Sequence, residues 1–550
     1  MRKIILLAVS AALLFSCGRN ENKMEKLNRQ AEKEYLVPVR PGYEGRNPFW
    51  NGYAKKFIYA PAFNFAETEG AVLYRFTISG GEDSWSFEAK APTAALSPVW
   101  NDIPVGKVHL KVEALSSDGE VMGVAGERDF LRDYPFEGPY PAKARPYGQA
   151  ARMALLYVHQ MPQVLAWKNG PVPDMSYKHN TYANKIIGAT ISNECFIARL
   201  YPELREDALA IARNAAAFLI SESRPEGDVL AFFPPTYYQD LIASKKNQGL
   251  TMTMDALYSA QAFLDLYDET SDSLYLDRAL KIADTYAKIQ GEDGSFPIKV
   301  HFESGEPVNG SKAMLAPVVR FVQRLEKQYG IMDFTPMKEK AFGWMKEHAL
   351  KTFDLTGQFE DVGVDVEPYQ NLTNCTASPF ASCILHEDKV TAEDLENAFD
   401  LVRFSEDQFV HWRSLPRKNG IPHVSVPCVH EQYHYETPVD NSSCNVANAL
   451  LDLYEHTGDE LCLAKALALA DGLTINQIAG SGQMPTTLDY RDPVRNSHRT
   501  FWINCSLSSV RLLLRLEEMN LPNFLVSKWP AGSCSDIGNK AIGQLPVGRI

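Results

Sequence analysis

The chain has 550 residues, 45% hydrophobic and 22% charged, a balance that fits a globular protein of more than one domain. Its 68 acidic residues against 55 basic ones give a net charge of -13. That excess argues against nucleic acid as a partner, because gripping a phosphate backbone takes basic surface.

At the N-terminus Arg2-Lys3, the apolar run Ile4–Leu14 and Leu14-Phe15-Ser16-Cys17 follow the order of a secretory signal. The apolar run is too short to span a bilayer as a helix. The cysteine resembles that of the bacterial lipobox, which implies cleavage before Cys17 and lipidation of it. Residues 1–17 are therefore expected to be a signal peptide, and 18–40, polar and charged, a tether. The expected location is the bacterial cell envelope, with the protein held on the outer membrane through Cys17 alone. Eight cysteines follow Cys17, several of them inside apolar stretches (Cys195, Cys383, Cys462). Such positions favour buried thiols over a disulfide framework.

From 41 to 134 the pattern is that of strands. Val72–Ile78 and Lys107–Glu113 alternate as half-buried strands do, with Gly80-Gly81, Pro92, Asp118-Gly119 and Gly126 as turns. About seven short strands in this length fit a small β-sandwich. Tyr74-Arg75-Phe76, Trp100–Gly106 and Leu110–Leu115 resemble a fibronectin type III module. The Pro-rich run Pro135–Pro141 reads as a linker.

The region 145–520 repeats a different unit. Apolar helices are expected to start near Lys185, Gly249, Lys312, Asn371, Asn441 and Asn504, each followed after a brief turn by an amphipathic partner such as Pro202–Glu222, Leu274–Gln290 or Leu461–Gln477. Six helix–turn–helix units close naturally into a ring, an (α/α)6 toroid of six helical hairpins. The loops that feed the apolar helices are long, and long loops usually carry function. One end of the ring is therefore the worked surface. Residues 521–550 show no periodicity and read as a tail.

Repeats such as Leu453-Tyr454-Glu455-His456-Thr457-Gly458-Asp459, followed by Ala464–Asp471, resemble the six-hairpin glycosidase superfamily. That resemblance implies carbohydrate-active chemistry: glycoside hydrolases, unsaturated uronyl hydrolases, some lyases and sugar epimerases share the scaffold. Fold does not choose among them.

Candidate residues come from the long loops. Cleaving a glycosidic bond usually takes two carboxyl groups. Glu431, between His430 and tyrosines, is expected to be the proton donor, and Asp361, in an acidic loop, its ionised partner. Asp440 is a third catalytic candidate whose simplest role is to cap the next helix. Tyr237, Phe359, His430, Tyr433, His434, Tyr435, Asp489, Arg491 and Trp502 are the substrate-binding candidates, as aromatic platforms or hydrogen-bonding groups for an oligosaccharide or polysaccharide. A tyrosine or histidine of Tyr433-His434-Tyr435 acting beside a uronate carboxylate would instead make a lyase or epimerase. A glycan-binding protein without catalysis is the third reading. His430-Glu431-Gln432-Tyr433-His434 has the spacing of a zinc-peptidase helix, but Pro427 and Pro438 bracket it and its residues favour extended chain. No metal and no cofactor are expected.

Overall fold

The computed structural model describes residues 23–39, 53–242, 245–356, 367–413, 427–488 and 501–520. Cys17, Phe359, Asp361, Asp489 and Arg491 lie outside them.

Among the described residues the N-terminal β region has seven strands: β1 Lys56–Phe57, β2 Ala62–Asn64, β3 Leu73–Gly80, β4 Asp83–Ala89, β5 Thr93–Ala95, β6 Gly106–Leu115 and β7 Val121–Arg132. Five form one sheet in the order β1-β7-β6-β3-β4, and β2 pairs with β5. Alternation does the work expected of it: Tyr74, Phe76 and Ile78 of β3 and Val108, Leu110 and Val112 of β6 are all buried. Trp100 fills the centre, stacked on Phe130 and donating its indole N–H to the Ile58 carbonyl.

The stretch read as a tether is instead a helix, α1, over 23–34. Leu27, Ala31 and Tyr35, spaced one turn apart, are all at most 2% exposed. The charges around this stripe disguise an amphipathic helix.

Twelve helices of the ring follow: α2 Tyr147–His159, α3 Ala183–Leu200, α4 Arg205–Ser221, α5 Ala256–Thr270, α6 Ser273–Ile289, α7 Ala316–Tyr329, α8 Thr335–Met345, α9 Asn374–Leu385, α10 Ala392–Phe409, α11 Asp440–Thr457, α12 Glu460–Asn476 and α13 Ile503–Glu518. The odd-numbered ones from α3 to α13 are the inner layer and the even-numbered ones the outer. The chain enters on an outer helix and ends on an inner one, so α2 packs on α13 and completes the sixth hairpin.

The inner ends are joined in a closed circuit of hydrogen bonds. Ser192 of α3 donates to Asp265 of α5 at 2.6 Å, and Arg324 of α7 reaches the same carboxylate at 2.8 Å. Gln323 bonds the Cys383 carbonyl of α9 at 3.0 Å, and Ser382 donates to Asp452 of α11 at 2.6 Å. Arg515 of α13 pairs with Asp452 at 2.6 Å, and Arg511 returns to Ser192 at 3.4 Å. All six inner helices run the same way, so their C-terminal dipoles converge here, and the arginines offset that negative field. Gly188 lets α3 approach α5 closely: a Cβ there would sit 3.0 Å from the Tyr258 carbonyl oxygen.

Two inner helices start later than their apolar runs suggest. Leu250–Met252 is spent on a strand paired with Lys299–His301, and Lys312–Ala313 on one paired with Phe296–Pro297. Pro317 then fits the first turn of α7, whereas Pro379 lies inside α9. Among the described residues seven cysteines are free thiols, Cys375 alone of them not fully buried. No described helix is long and apolar enough to cross a membrane.

The N-terminal elements dock on α10. Glu406 accepts from the hydroxyls of Tyr35 and Tyr59 and from the Trp412 indole, all within 2.9 Å. Asp407 accepts from the backbone N–H groups of Ile58 and Tyr59 and from the Gln408 amide. Burial pushes the Asp407 carboxyl up to about 7, against the pull of those donors. Between the unfolded value near 4 and about 7, the native state holds a proton that the unfolded chain has released. Stability from this group therefore falls as pH rises through that window. Asp407→Asn is expected to remove this slope; denaturation midpoints at about pH 5 and about pH 7.5 that still fall equally in the variant would contradict it.

Candidate active site

The long outer-to-inner loops deliver every inner helix with its N-terminus at one end, the mouth. Unpaired N–H groups and six parallel dipoles make that end electropositive. The loop before α11 is a hairpin, Cys428–Gln432 paired with Tyr435–Pro438, and Val410–His411 lies on its other edge. The ladder shifts register between His430 and Gln432. A shift of that kind re-aims side chains, and here it splits the candidates between two faces.

Glu431 faces the ring. Its Oε1 is 3.9 Å from the Cys375 Sγ in the first turn of α9. Its carbonyl accepts from the Thr373 hydroxyl at 2.8 Å and the Asn374 amide at 3.0 Å. Thr373 also caps α9 by accepting from the Cys375 N–H. Hairpin and helix start are thus bolted together, and Glu431 is set at the joint, half-buried.

Asp440 opens α11 and is 1% exposed. Val439 holds the cap position, so Asp440 is not the cap. Its Oδ1 accepts from the Asn441 N–H at 2.8 Å and its Oδ2 from the Ser509 hydroxyl at 3.2 Å. Burial pushes its carboxyl well above the usual range, and the negative charge of Glu431 pushes the same way. The two carboxyl groups therefore feel one another.

Lys185, in the first turn of α3, lies 5.9 Å from the centre of the Trp502 ring. Its charge acts on the thiols of Cys375 and Cys505, on which the Glu431 charge also acts. Burial is the larger influence on both thiols and raises them. Four inner-helix starts thus contribute to one neighbourhood: Lys185, Cys375, Asp440 and Cys505, with Glu431 and Trp502 from the loops.

An aromatic wall continues from it. Trp502 lies 4.2 Å from the His179 ring and 5.1 Å from Tyr182, and Tyr182 lies 6.1 Å from Tyr237. Lys299, buried and bonded to Asn247, is 6.0 Å from the Tyr237 ring. Tyr435 is half-buried and His434 exposed at the hairpin tip.

His430 and Tyr433 face the other way. His430 shares a 2.9 Å hydrogen bond with His411 and packs 5.1 Å from Phe409; burial pulls its pKa well down. The Tyr433 hydroxyl donates to Gln408. Both line a cavity of about 300 Å³ between the hairpin and the β region, together with Lys55, Lys56 and Leu131. They were expected beside Glu431; strand alternation puts His430 behind it, and the shift at Gln432 carries Tyr433 to the same side. Among the described residues no three His, Cys, Asp or Glu side chains are placed to hold a metal.

Sequence reasoning missed Lys185, Cys375 and Cys505 as parts of the site. The only signal was position: each opens an inner helix, and the mouth is where inner helices open.

No protein-family model matches the sequence, and no curated protein is detectably similar to it. Solved structures are. A family 76 glycoside hydrolase from a bovine Bacteroides thetaiotaomicron strain matches at 10% identity and a TM-score of 0.47, over 85% of this chain and 98% of its own. A sugar epimerase from a ruminal bacterium matches at 12% and 0.44, over 65% and 98%. The cellobiose 2-epimerase of Spirochaeta thermophila matches at 11% and 0.45, over 68% and 100%.

Proposed function

We propose that the chain is a carbohydrate-active enzyme, a glycoside hydrolase that cleaves an oligosaccharide at the mouth of the ring. The observation that carries this reading is the pair formed by half-buried Glu431 and fully buried Asp440, set at converging helix N-termini beside an aromatic wall. Coupled carboxyl groups divide their charge according to environment. Burial and the Glu431 charge both raise the Asp440 carboxyl, and the charges of Lys185 and Glu431 act on the same two thiols. Glu431, the half-exposed member of the pair, is the one that reaches the glycan and serves as its acid–base group. Its carboxyl partner is sought in the acidic loop before α9, where the sequence offers Asp361, outside the described residues. Lys185 and the helix N-termini favour a sugar bearing a carboxylate.

A lyase or epimerase would need a tyrosine or histidine at the mouth. Of the three residues offered for that chemistry, Tyr433 is engaged on the opposite face, and the lyase or epimerase reading rests on His434 and Tyr435 at the hairpin tip. Product analysis with the purified protein on a polysaccharide panel tests it. A hydrolase releases reducing ends without ultraviolet-absorbing unsaturated uronyl products. Unsaturated products would establish a lyase, and binding without turnover a glycan-binding protein.

The envelope location rests on the signal at Arg2–Cys17 and belongs to the same proposal. Cys17→Ala in the full-length protein is expected to abolish lipid attachment and release the protein from membranes. Unchanged tight association on membrane fractionation would refute it.

A further inference from the structure

We infer that the closed end of the ring, the end carrying the short inner-to-outer turns, faces the lipid bilayer and that the mouth faces away from it. The inference rests on the Cys17 anchor just proposed; its geometry comes from α1. Only five residues separate Cys17 from Lys23, where helix α1 begins. Six Cα steps reach at most roughly 20 Å.

α1 starts at the closed end. The Lys23 ammonium pairs with Glu460 at 2.7 Å, and the Gln30 amide bonds Asp459 at 3.0 Å. Asp459 lies in the turn between α11 and α12, where Gly458 takes a left-handed conformation, φ +68°, to end the inner helix, and Glu460 opens α12. From there α1 leads into buried contacts: Glu34 bonds Lys465 of α12 at 2.7 Å, and Tyr35 bonds Glu406 of α10 at 2.8 Å. The exit point of the chain is thus fixed on the ring and cannot swing.

Magnitude decides the orientation. α3 and α11 have 18 residues each, so the helical layer is about 27 Å deep before the mouth loops are added. A lead of roughly 20 Å that leaves from the closed end cannot bring the mouth round to the surface in which Cys17 is embedded. The closed-end turns also carry acidic side chains, among them Glu203, Asp272, Asp388 and Asp459. Charged groups there disfavour insertion of this face into the hydrocarbon. The mouth, held outward, takes glycans from the aqueous side.

The test uses the lipidated full-length protein in vesicles containing an acceptor-labelled headgroup lipid. A donor dye is placed on Asp388→Cys, exposed in the α9–α10 turn, or on Glu303→Cys, exposed in a mouth loop. Energy transfer from position 388 is expected to exceed that from 303 at least about twofold, and a long Gly/Ser insertion between Asn22 and Lys23 should erase the difference. Equal transfer from the two positions, or greater transfer from 303, overturns the orientation while leaving the anchor. Protein that fails to associate with the vesicles, with Cys17→Ala behaving identically, removes the anchor and the orientation with it. Neither outcome touches the catalytic proposal, which is read by turnover.

Discussion

Glu431→Gln is expected to lower turnover on a verified glycan by at least about a hundredfold, the lower range for loss of an acid–base group, while the protein stays folded. The residue is held by its own backbone, through Thr373 and Asn374, so glutamine will occupy the same place without the charge. Asp440→Asn is the informative companion. Asp440 is buried and its oxygens are satisfied by Asn441 and Ser509, so it acts through Glu431 and not on the sugar. The variant should shift the pH profile of turnover, because it removes the second proton site of a coupled pair. A Glu431→Gln enzyme with near-normal rates would end the assignment.

The second large effect is on stability. Lys465 is 3% exposed in its side chain and pairs at 2.7 Å with both Glu34 and Glu406, themselves 14% and 2% exposed. Burial raises the Glu34 carboxyl, but Lys465 and Arg403 outweigh it and hold the group below its ordinary value. Lys465→Ala would leave two buried carboxylates facing each other, and is expected to cost about 3–5 kcal/mol, the usual loss when one partner of a buried pair is removed. The loss should appear as a lower midpoint in chemical denaturation. Combining Lys465→Met with Glu406→Gln should recover part of it, because the second change removes one stranded charge. A drop below about 1 kcal/mol for Lys465→Ala, the size of a surface pair, would show that the network does not brace the N-terminal elements against the ring.

The ring was legible because burial leaves a plain trace. Inner helices covered on several sides, such as Ile186–Ile191 in α3, have almost no polar face, and outer ones such as α6 keep one. Helix starts were less legible. At Leu250 and Lys312 the chain spends apolar residues on short strands, and nothing local separates such a strand from the first turn of a helix. α1 was overlooked although Leu27, Ala31 and Tyr35 repeat every four residues, since the charges between them carry the look of a tether.

At the site, Glu431 could be chosen from its neighbours alone, a carboxyl group among aromatics. Sidedness could not. A strand read with strict alternation pairs residues by parity, and the shift between His430 and Gln432 breaks that count. The coupling of Glu431 to Asp440 was likewise out of reach, because it depends on how the hairpin is bolted to the start of α9 and on the Ser509 hydroxyl of α13.

The central claim is that a glycan is cleaved at the mouth beside Glu431. Its most direct test is a crystal structure of the Glu431→Gln protein with an oligosaccharide that the wild type hydrolyses. The account predicts sugar rings along Trp502 and Tyr182, with the scissile linkage at residue 431. Sugar found only in the cavity behind the hairpin, against Lys55 and Tyr433, would contradict it.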